Sequence, residues 1–219
     1  MNQATSKPRA VCRQNIFMKS IAYLFENGIV RNMYTYPEYM LLMEQVVAEG
    51  KTTGPQQSEE LSYYTKLNLH RMQRLNKTVE LTPALREAVG KIKVPQTWFI
   101  LTEAWCGDAA QIIPVLATAA KANSLIEMKF LLRDENHDLM NLYLTNGGRS
   151  IPKLISVDSQ YHEVFNYGPR PAGAQKLLAE YKANPEKTYK AFSEDIQRWY
   201  LADKTRSIQN ELTALLEGF

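Results

Sequence analysis

One of the two cysteines, Cys106, is the residue that most strongly indicates chemistry in this sequence. It stands in the string WCGDA (residues 105–109), after a run of apolar residues and before a helical pattern. A helix N-terminus leaves backbone N–H groups unpaired, and these groups favour the thiolate form of a cysteine. A thiolate attacks a disulfide and forms a mixed disulfide, which another thiol must then break. The string therefore predicts a reactive thiol, and a purely structural role for Cys106 is the alternative.

Two charged side chains are expected to shift the pKa of this thiol in opposite directions. Asp108 disfavours ionisation, whereas Arg170, in the string GPRP, favours it if the guanidinium faces Cys106. A solvated Arg170 is the alternative. We expect the thiol to be partly exposed. Because the helix N-terminus and the guanidinium both favour the thiolate, we expect the pKa of Cys106 to lie below the free value of about 8.5.

The second cysteine, the histidines and the paired glycines give weaker indications of function. Cys12, the second of two cysteines, lies in a weakly patterned segment and is either a bystander or a resolving thiol from outside the domain. The three histidines are far apart and none is spaced as a metal-ligand pair, so we expect neither a metal nor another cofactor. Gly147 and Gly148 follow a helical pattern and predict its end, not a phosphate loop.

The amino-acid composition argues against two classes of partner, nucleic acids and membranes. The 219 residues include 26 basic and 23 acidic side chains, and no window is apolar enough for a membrane span. We therefore expect neither a nucleic-acid partner nor a membrane partner. Two cysteines cannot form a disulfide framework and no signal peptide is recognisable, so a cytoplasmic location is expected.

The periodicity of apolar residues predicts the order β-α-β-α-β-β-α from residue 97 onward. The strands fall at residues 97–102, 126–132, 152–157 and 161–167, and the helices at 107–122, 136–145 and 172–217, the last broken near Pro185. Two strands joined through a helix run parallel, whereas a hairpin is antiparallel. The order therefore predicts an α/β fold with a mixed four-stranded sheet flanked by helices.

The chain divides into four expected regions. Residues 1–33 predict a weakly ordered N-terminal arm, and residues 34–93 predict three helices, at 36–49, at 58–76 and from Thr82 onward. Residues 94–185 form the α/β domain. Residues 186–219 form a helical extension, whose apolar stripe is expected to pack on the N-terminal helices.

The α/β domain resembles thioredoxins. The WCG loop opens a helix, Pro114 lies inside that helix, and Ile151-Pro152 opens the third strand. The resemblance implies a cis Ile151–Pro152 bond facing the cysteine, and it places Gly168 in the loop that forms the third wall of the substrate groove. The strings AWCGDAAQ, LLRDENHDLM, YLTNGGRSIPKLI and YGPRPAGAQ are similar to a bacterial family described only as thioredoxin-like. That likeness implies a fold and a site but names no substrate.

Two departures from thioredoxins change the expected chemistry. Ala109 stands where thioredoxins have the resolving cysteine, and Ile100 stands where they have a buried carboxylate that assists proton transfer. Without the second thiol the loop cannot close an internal disulfide. We therefore expect negligible dithiol reductase activity, of the kind measured by insulin reduction.

Three functions remain open, and whether the protein is an enzyme stays open with them. The leading hypothesis is a monothiol thiol–disulfide oxidoreductase: Cys106 forms mixed disulfides with a protein or a low-molecular-weight thiol or disulfide, and an external reductant releases it. The rival is a redox-silent binding module that holds a partner peptide in the cis-proline groove. A peroxide sensor that passes through sulfenic acid is the third. The expected groove residues beside Cys106 are Trp105, Gly107, Asp108, Ile151, Pro152, Gly168 and Arg170.

Overall fold

The computed structural model describes residues 19–218. Residues 1–18, which include Cys12 and the first part of the predicted arm, lie outside the described residues. In the described part of the chain, helices cover both faces of one mixed sheet.

The sheet has four strands in the spatial order β2-β1-β3-β4. They are β1 (Gln96–Thr102), β2 (Ile126–Leu132), β3 (Lys153–Val157) and β4 (Glu163–Tyr167). β1 pairs in parallel with β2 and antiparallel with β3, and β3 and β4 form an antiparallel hairpin. The predicted fold class is confirmed, and each strand lies within two residues of its predicted bounds.

Nine α-helices accompany the sheet in residues 19–218. They are α1 (Ala22–Glu26), α2 (Tyr36–Ala48), α3 (Glu59–Thr78), α4 (Pro83–Gly90), α5 (Ala109–Lys121), α6 (His137–Asn141), α7 (Ala172–Ala183), α8 (Tyr189–Asp203) and α9 (Arg206–Glu217). Several of them begin where a side chain can cap free N–H groups. The hydroxyl oxygens of Thr35, Ser58, Thr82 and Thr188 each accept a backbone hydrogen bond from the first turn of their helix.

Strand β1 is the centre of the core. Trp98, Ile100 and Leu101 are fully buried, because α5 covers one face of the sheet and other helices cover the opposite face. All but two residues of α5 are buried as well. A strand buried on both faces reads as a continuous apolar run, which is why β1 could be recognised in the sequence.

The segment before α2 is more ordered than predicted. Residues 19–33 were expected in a weakly ordered arm, yet Ile21 and Leu24 are buried in the core. The backbone N–H of Ile21 donates to the Tyr161 carbonyl (3.0 Å), and Tyr34 exchanges two backbone hydrogen bonds with Phe130. The prediction was wrong for these residues because their order comes from pairing with distant segments and leaves no local periodicity.

Two predicted helix bounds were also wrong. Helix α6 ends at Asn141 and not near residue 145, and Asn146 and Gly147 follow it with left-handed backbone angles. The C-terminal helix is broken twice, at the predicted position near Pro185 and again at Lys204 and Thr205, where φ is +52° and +65°. Neither Lys204 nor Thr205 favours this conformation, so the sequence carried no signal for the second break.

The second break allows α9 to fold back onto the N-terminal helices. Helix α9 packs against α4, and Ile208 and Leu212 are fully buried. Gln209 adds a buried polar link: its Oε1 accepts from the Thr82 N–H (2.7 Å), and its Nε2 donates to the Glu80 carbonyl (3.1 Å).

We expect Gln209→Ala to lower the free energy of unfolding by about 1–3 kcal/mol, because it leaves two backbone groups of the α4 N-terminus without a partner. Asn210→Ala, at an exposed position of the same helix, is the matched control and should change little. Urea unfolding followed by circular dichroism measures both. An equal effect of the two variants would contradict the structural role of Gln209.

Candidate functional site

Cys106 lies in the loop between β1 and α5 and is almost completely buried, with 6% of its surface exposed. Its Sγ–H donates to the Ile151 carbonyl oxygen (3.4 Å), and the Ala109 N–H donates to Sγ (3.5 Å). Two predicted neighbours, Cys106 and Ile151, are thus brought into contact. The expectation of a partly exposed thiol was wrong.

The pKa of Cys106 differs from the expected value for the same reason. The pKa of this thiol is raised to about 12, mainly by burial and next by the negative charge of Asp108. The Ala109 N–H and the Arg170 guanidinium lower the pKa, but their effect is smaller. The prediction of a pKa below 8.5 was wrong, because the desolvation of a buried thiolate outweighs the helix N-terminus and the guanidinium.

Asp108 is the centre of a buried polar cluster. Its Oδ2 accepts hydrogen bonds from the Nε (2.8 Å) and Nη2 (2.7 Å) of Arg170, and its Oδ1 accepts from the hydroxyl of Tyr200 (2.8 Å). Burial raises the pKa of Asp108, and the contacts with Arg170 and Tyr200 oppose that rise. Arg170 is therefore held by Asp108 and is not a solvated side chain. Asp108 makes no cap hydrogen bond to α5.

The contact of Tyr200 with Asp108 could not be predicted from the sequence, because the two residues are 92 positions apart. Tyr200 belongs to α8, outside the predicted α/β domain. The cluster thus joins three segments: the loop before α5, the loop between β4 and α7, and the C-terminal extension. It ties α8 to the cysteine loop.

Helices of both extensions cover the cysteine loop. From α8, the Gln197 Nε2 donates to the Gly107 carbonyl (3.4 Å) and its Oε1 accepts from the Gln111 Nε2 (2.8 Å). From α3, the Asn68 Nδ2 donates to the Ala104 carbonyl (3.0 Å). A Cβ atom at Gly107 would lie only 3.1 Å from the Gln197 Nε2, so a side chain has little room there.

The remaining predicted site residues lie around the loop, and Gly168 and Arg170 line a pocket of about 640 Å³ together with residues of α7 and α9. Trp105 is half-buried, with the Arg133 guanidinium 4.9 Å from its ring. The Ile151–Pro152 peptide bond is cis, and both residues are buried. Gly168, at φ +109°, packs so tightly on the Pro152 carbonyl that a Cβ atom would overlap it. Ile151 and Pro152, which were expected to receive a peptide, are therefore not accessible to one.

One buried acid near the loop was missed. Glu103, three residues before Cys106, is 1% exposed; its Oε1 accepts from the Asp134 N–H (2.9 Å), and its Oε2 accepts from the Thr53 hydroxyl. Burial raises the pKa of Glu103 to about 7, although both hydrogen bonds lower it. An acid directly after a buried strand was the available signal.

Within residues 19–218, no group of three or more histidine, cysteine, aspartate or glutamate side chains is arranged to hold a metal ion. None of the helices in this range combines the length and apolar character needed to cross a bilayer.

The chain belongs to the thioredoxin family: the model of a family described as thioredoxin matches residues 54–182, more than half of the chain. A search of curated proteins gave no match. Among solved structures, a Pseudomonas aeruginosa protein of unknown function is 16% identical with a TM-score of 0.53, and covers 84% of this chain and 98% of its own. An HIV epitope scaffold is 17% identical with a TM-score of 0.52, and covers 85% of this chain and 99% of its own. At these identities the two structures show the fold alone.

Glu103 makes stability depend on pH. Between the ordinary pKa of 4.5 and the raised value of about 7, the folded chain keeps a proton that the unfolded chain releases. The contribution of Glu103 to the free energy of unfolding is therefore fully present below pH 4.5 and is lost as the pH rises through 7.

We expect the free energy of unfolding of the wild type, relative to Glu103→Gln, to fall by about 2–3 kcal/mol between pH 5 and pH 8. Urea unfolding at both pH values tests this, with the exposed Glu127→Gln as control; equal pH profiles of wild type and Glu103→Gln would contradict it.

The Cys106 thiol should stay protonated throughout the neutral range. In the variant Cys12→Ser, where Cys106 is the only thiol, we expect the rate of alkylation by iodoacetamide to be negligible at pH 7 to 8. Unfolding in guanidinium should restore the rate of a free thiol, which serves as the internal control. A rate that levels off with an apparent pKa below 8.5 would contradict a buried, neutral thiol.

Proposed function

We propose that this protein is a thioredoxin-fold binding module that keeps Cys106 as a buried thiol and does not turn over disulfides. One observation carries the proposal: the Sγ atom is enclosed and donates its proton to the Ile151 carbonyl, with Asp108 beside it. The atom that thioredoxins use as a nucleophile is here part of the internal hydrogen bonding.

The chemistry of disulfide exchange supports this choice. Only the thiolate attacks a disulfide, and a thiol with a pKa of about 12 is ionised in about one molecule in a hundred thousand at pH 7. Attack also requires an approach to Sγ, and Cys106 is almost completely buried. Ala109 leaves the loop without a second thiol to complete a cycle.

The proposed partner is a protein in the cytoplasm. Helices α3 and α8 replace the open thioredoxin groove by a different surface, and a family's fold does not fix where its members bind. The low-molecular-weight thiol and the external reductant expected from the sequence have no role in this proposal.

Monothiol exchange remains the second candidate because two contacts favour the thiolate: the Ala109 N–H that points to Sγ, and the charge of Arg170. The Cys106 thiolate would attack one sulfur of a disulfide, form a new S–S bond and release the other sulfur as a thiolate. An external thiol would then break the mixed disulfide. This route needs the buried Sγ to become exposed first.

Incubation of the Cys12→Ser variant with excess glutathione disulfide separates the two candidates. We expect the intact mass of the native protein to stay unchanged at pH 8, since Sγ is neutral and covered. The same protein unfolded in guanidinium should gain one glutathione, which shows that the reagent is competent. A stoichiometric adduct on the native protein, reversed by a thiol reductant and absent in the double variant Cys12→Ser/Cys106→Ser, would replace the binding module by monothiol exchange.

A further inference from the structure

A groove runs between α3 and α8, above the cysteine loop. Helix α3 packs on α5 and α8 packs on α7, and a pocket of about 490 Å³ lies between α3 and α8. A second pocket, of about 480 Å³, adjoins it where the ends of α3 and α8 meet α5 and the start of α9. Both pockets include Leu201. Gln197 lines one pocket and Gln111 the other, so the hydrogen bond between these side chains crosses the groove floor.

Cations outnumber acids in both pockets of this groove. The first pocket is lined by three basic side chains and one acid, Glu194, and the second by three basic side chains and one acid, Glu80. Of the six cations, Arg198 pairs with Glu194 and Asp195. The other five have no carboxylate within 4.0 Å among residues 19–218; they are Arg71 and Lys190 in the first pocket, and Arg74, Lys204 and Arg206 in the second.

Arg71 is the most informative of these cations. It is half-buried, its Nη1 donates to the Asn68 Oδ1 (2.9 Å), and burial lowers the pKa of its guanidinium. Its Nη1 lies 3.9 Å from the position of a Cβ atom at Gly107, so the charge sits directly over the cysteine loop. Withdrawing a charge from water is unfavourable unless an opposite charge compensates it. Arg71 is therefore placed to receive an anionic group.

Apolar side chains lie exposed along the same groove. Leu201, shared by the two pockets, is 68% exposed, and Tyr63, beside Arg71, is 63% exposed. Exposed apolar side chains next to unpaired cations are typical of a surface that a partner covers.

The dimensions match a short segment of extended chain. Helix α8 has 15 residues, so the groove beside it is about 22 Å long. An extended peptide of about seven residues spans this distance.

We propose that the groove binds a short acidic peptide of a partner protein, in which carboxylates are interspersed with apolar side chains. One carboxylate pairs with Lys190 near the start of α8, and others pair with Arg71 and Arg74, neighbours on α3. Further carboxylates pair with Lys204 and Arg206 beyond the end of α8, and an apolar side chain covers Leu201. This inference rests on the proposed function and names the binding surface and the chemistry of the partner.

A polyanion such as single-stranded nucleic acid fits the groove less well. Its evenly spaced phosphates would meet Glu194 in one pocket and Glu80 in the other, and they would leave Leu201 without an apolar contact. Nucleic acid is therefore included in the test as an outcome that contradicts the proposal.

The test uses the full chain and a pool of fluorescein-labelled seven-residue peptides. Each peptide has four acidic positions, Asp or Glu, in varied order among Leu, Val or Phe. A second pool has Lys in place of the acids, and an oligothymidylate is the third probe. We expect saturable fluorescence anisotropy with the acidic pool, weakened by added salt, and none with the basic pool. Absence of binding by the acidic pool, or tighter binding of oligothymidylate, overturns the proposal.

A matched pair of variants places the binding in the groove. Arg71→Gln keeps a donor for Asn68 and removes the charge, and we expect it to weaken binding of the acidic pool by about tenfold. Arg86→Gln, at an exposed arginine of α4 outside both pockets, should leave the affinity within about twofold. Equal effects of the two variants overturn the proposal. Circular dichroism of each variant verifies that it is folded.

The peptide-binding experiment tests the groove, whereas the glutathione experiment tests the redox state of Cys106, so the two can fail independently. A native mixed disulfide on Cys106 together with groove-dependent peptide binding would remove the redox-silent function and leave the groove in place. Inert Cys106 without peptide binding would remove the groove and leave the binding module with another surface.

Discussion

The contact of Asp108 with Arg170 is the interaction on which the rest of the site depends. A carboxylate buried at the start of α5 is tolerable only with a compensating charge, and the two hydrogen bonds from Arg170 supply it. Tyr200 completes the cluster and brings α8 with it. Because the cluster joins three distant segments, the placement of one acid fixes how the C-terminal extension lies over the domain.

Burial and the same acid together decide the state of the cysteine. The thiol is withdrawn from water, and Asp108 adds a negative charge beside it. Both effects favour the neutral form. The family's loop, its helix and its cis-proline are all present, yet their surroundings reverse the usual pKa shift of the thiol. The chemistry of a motif thus depends on the solvent exposure that neighbouring elements allow.

The two helices that contact the cysteine loop also form a new surface between them. Helices α3 and α8 both contact the cysteine loop, and the space between them forms a groove lined by cations and by Leu201. The binding surface proposed for this chain is therefore built by the two extensions, with the thioredoxin-like sheet as a rigid support beneath it.

The sequence by itself determined the sheet, most helix bounds and the cysteine loop, because these follow from local periodicity, capping residues and a contiguous motif. Ala109 by itself indicated the loss of the dithiol cycle. Only the tertiary structure decided that residues 19–33 are ordered, that α9 folds back after Thr205, and that Tyr200 meets Asp108. The burial of Cys106 was likewise decided only by the tertiary structure. Burial depends on segments far apart in the chain, and desolvation, which no local pattern records, sets the pKa of the thiol.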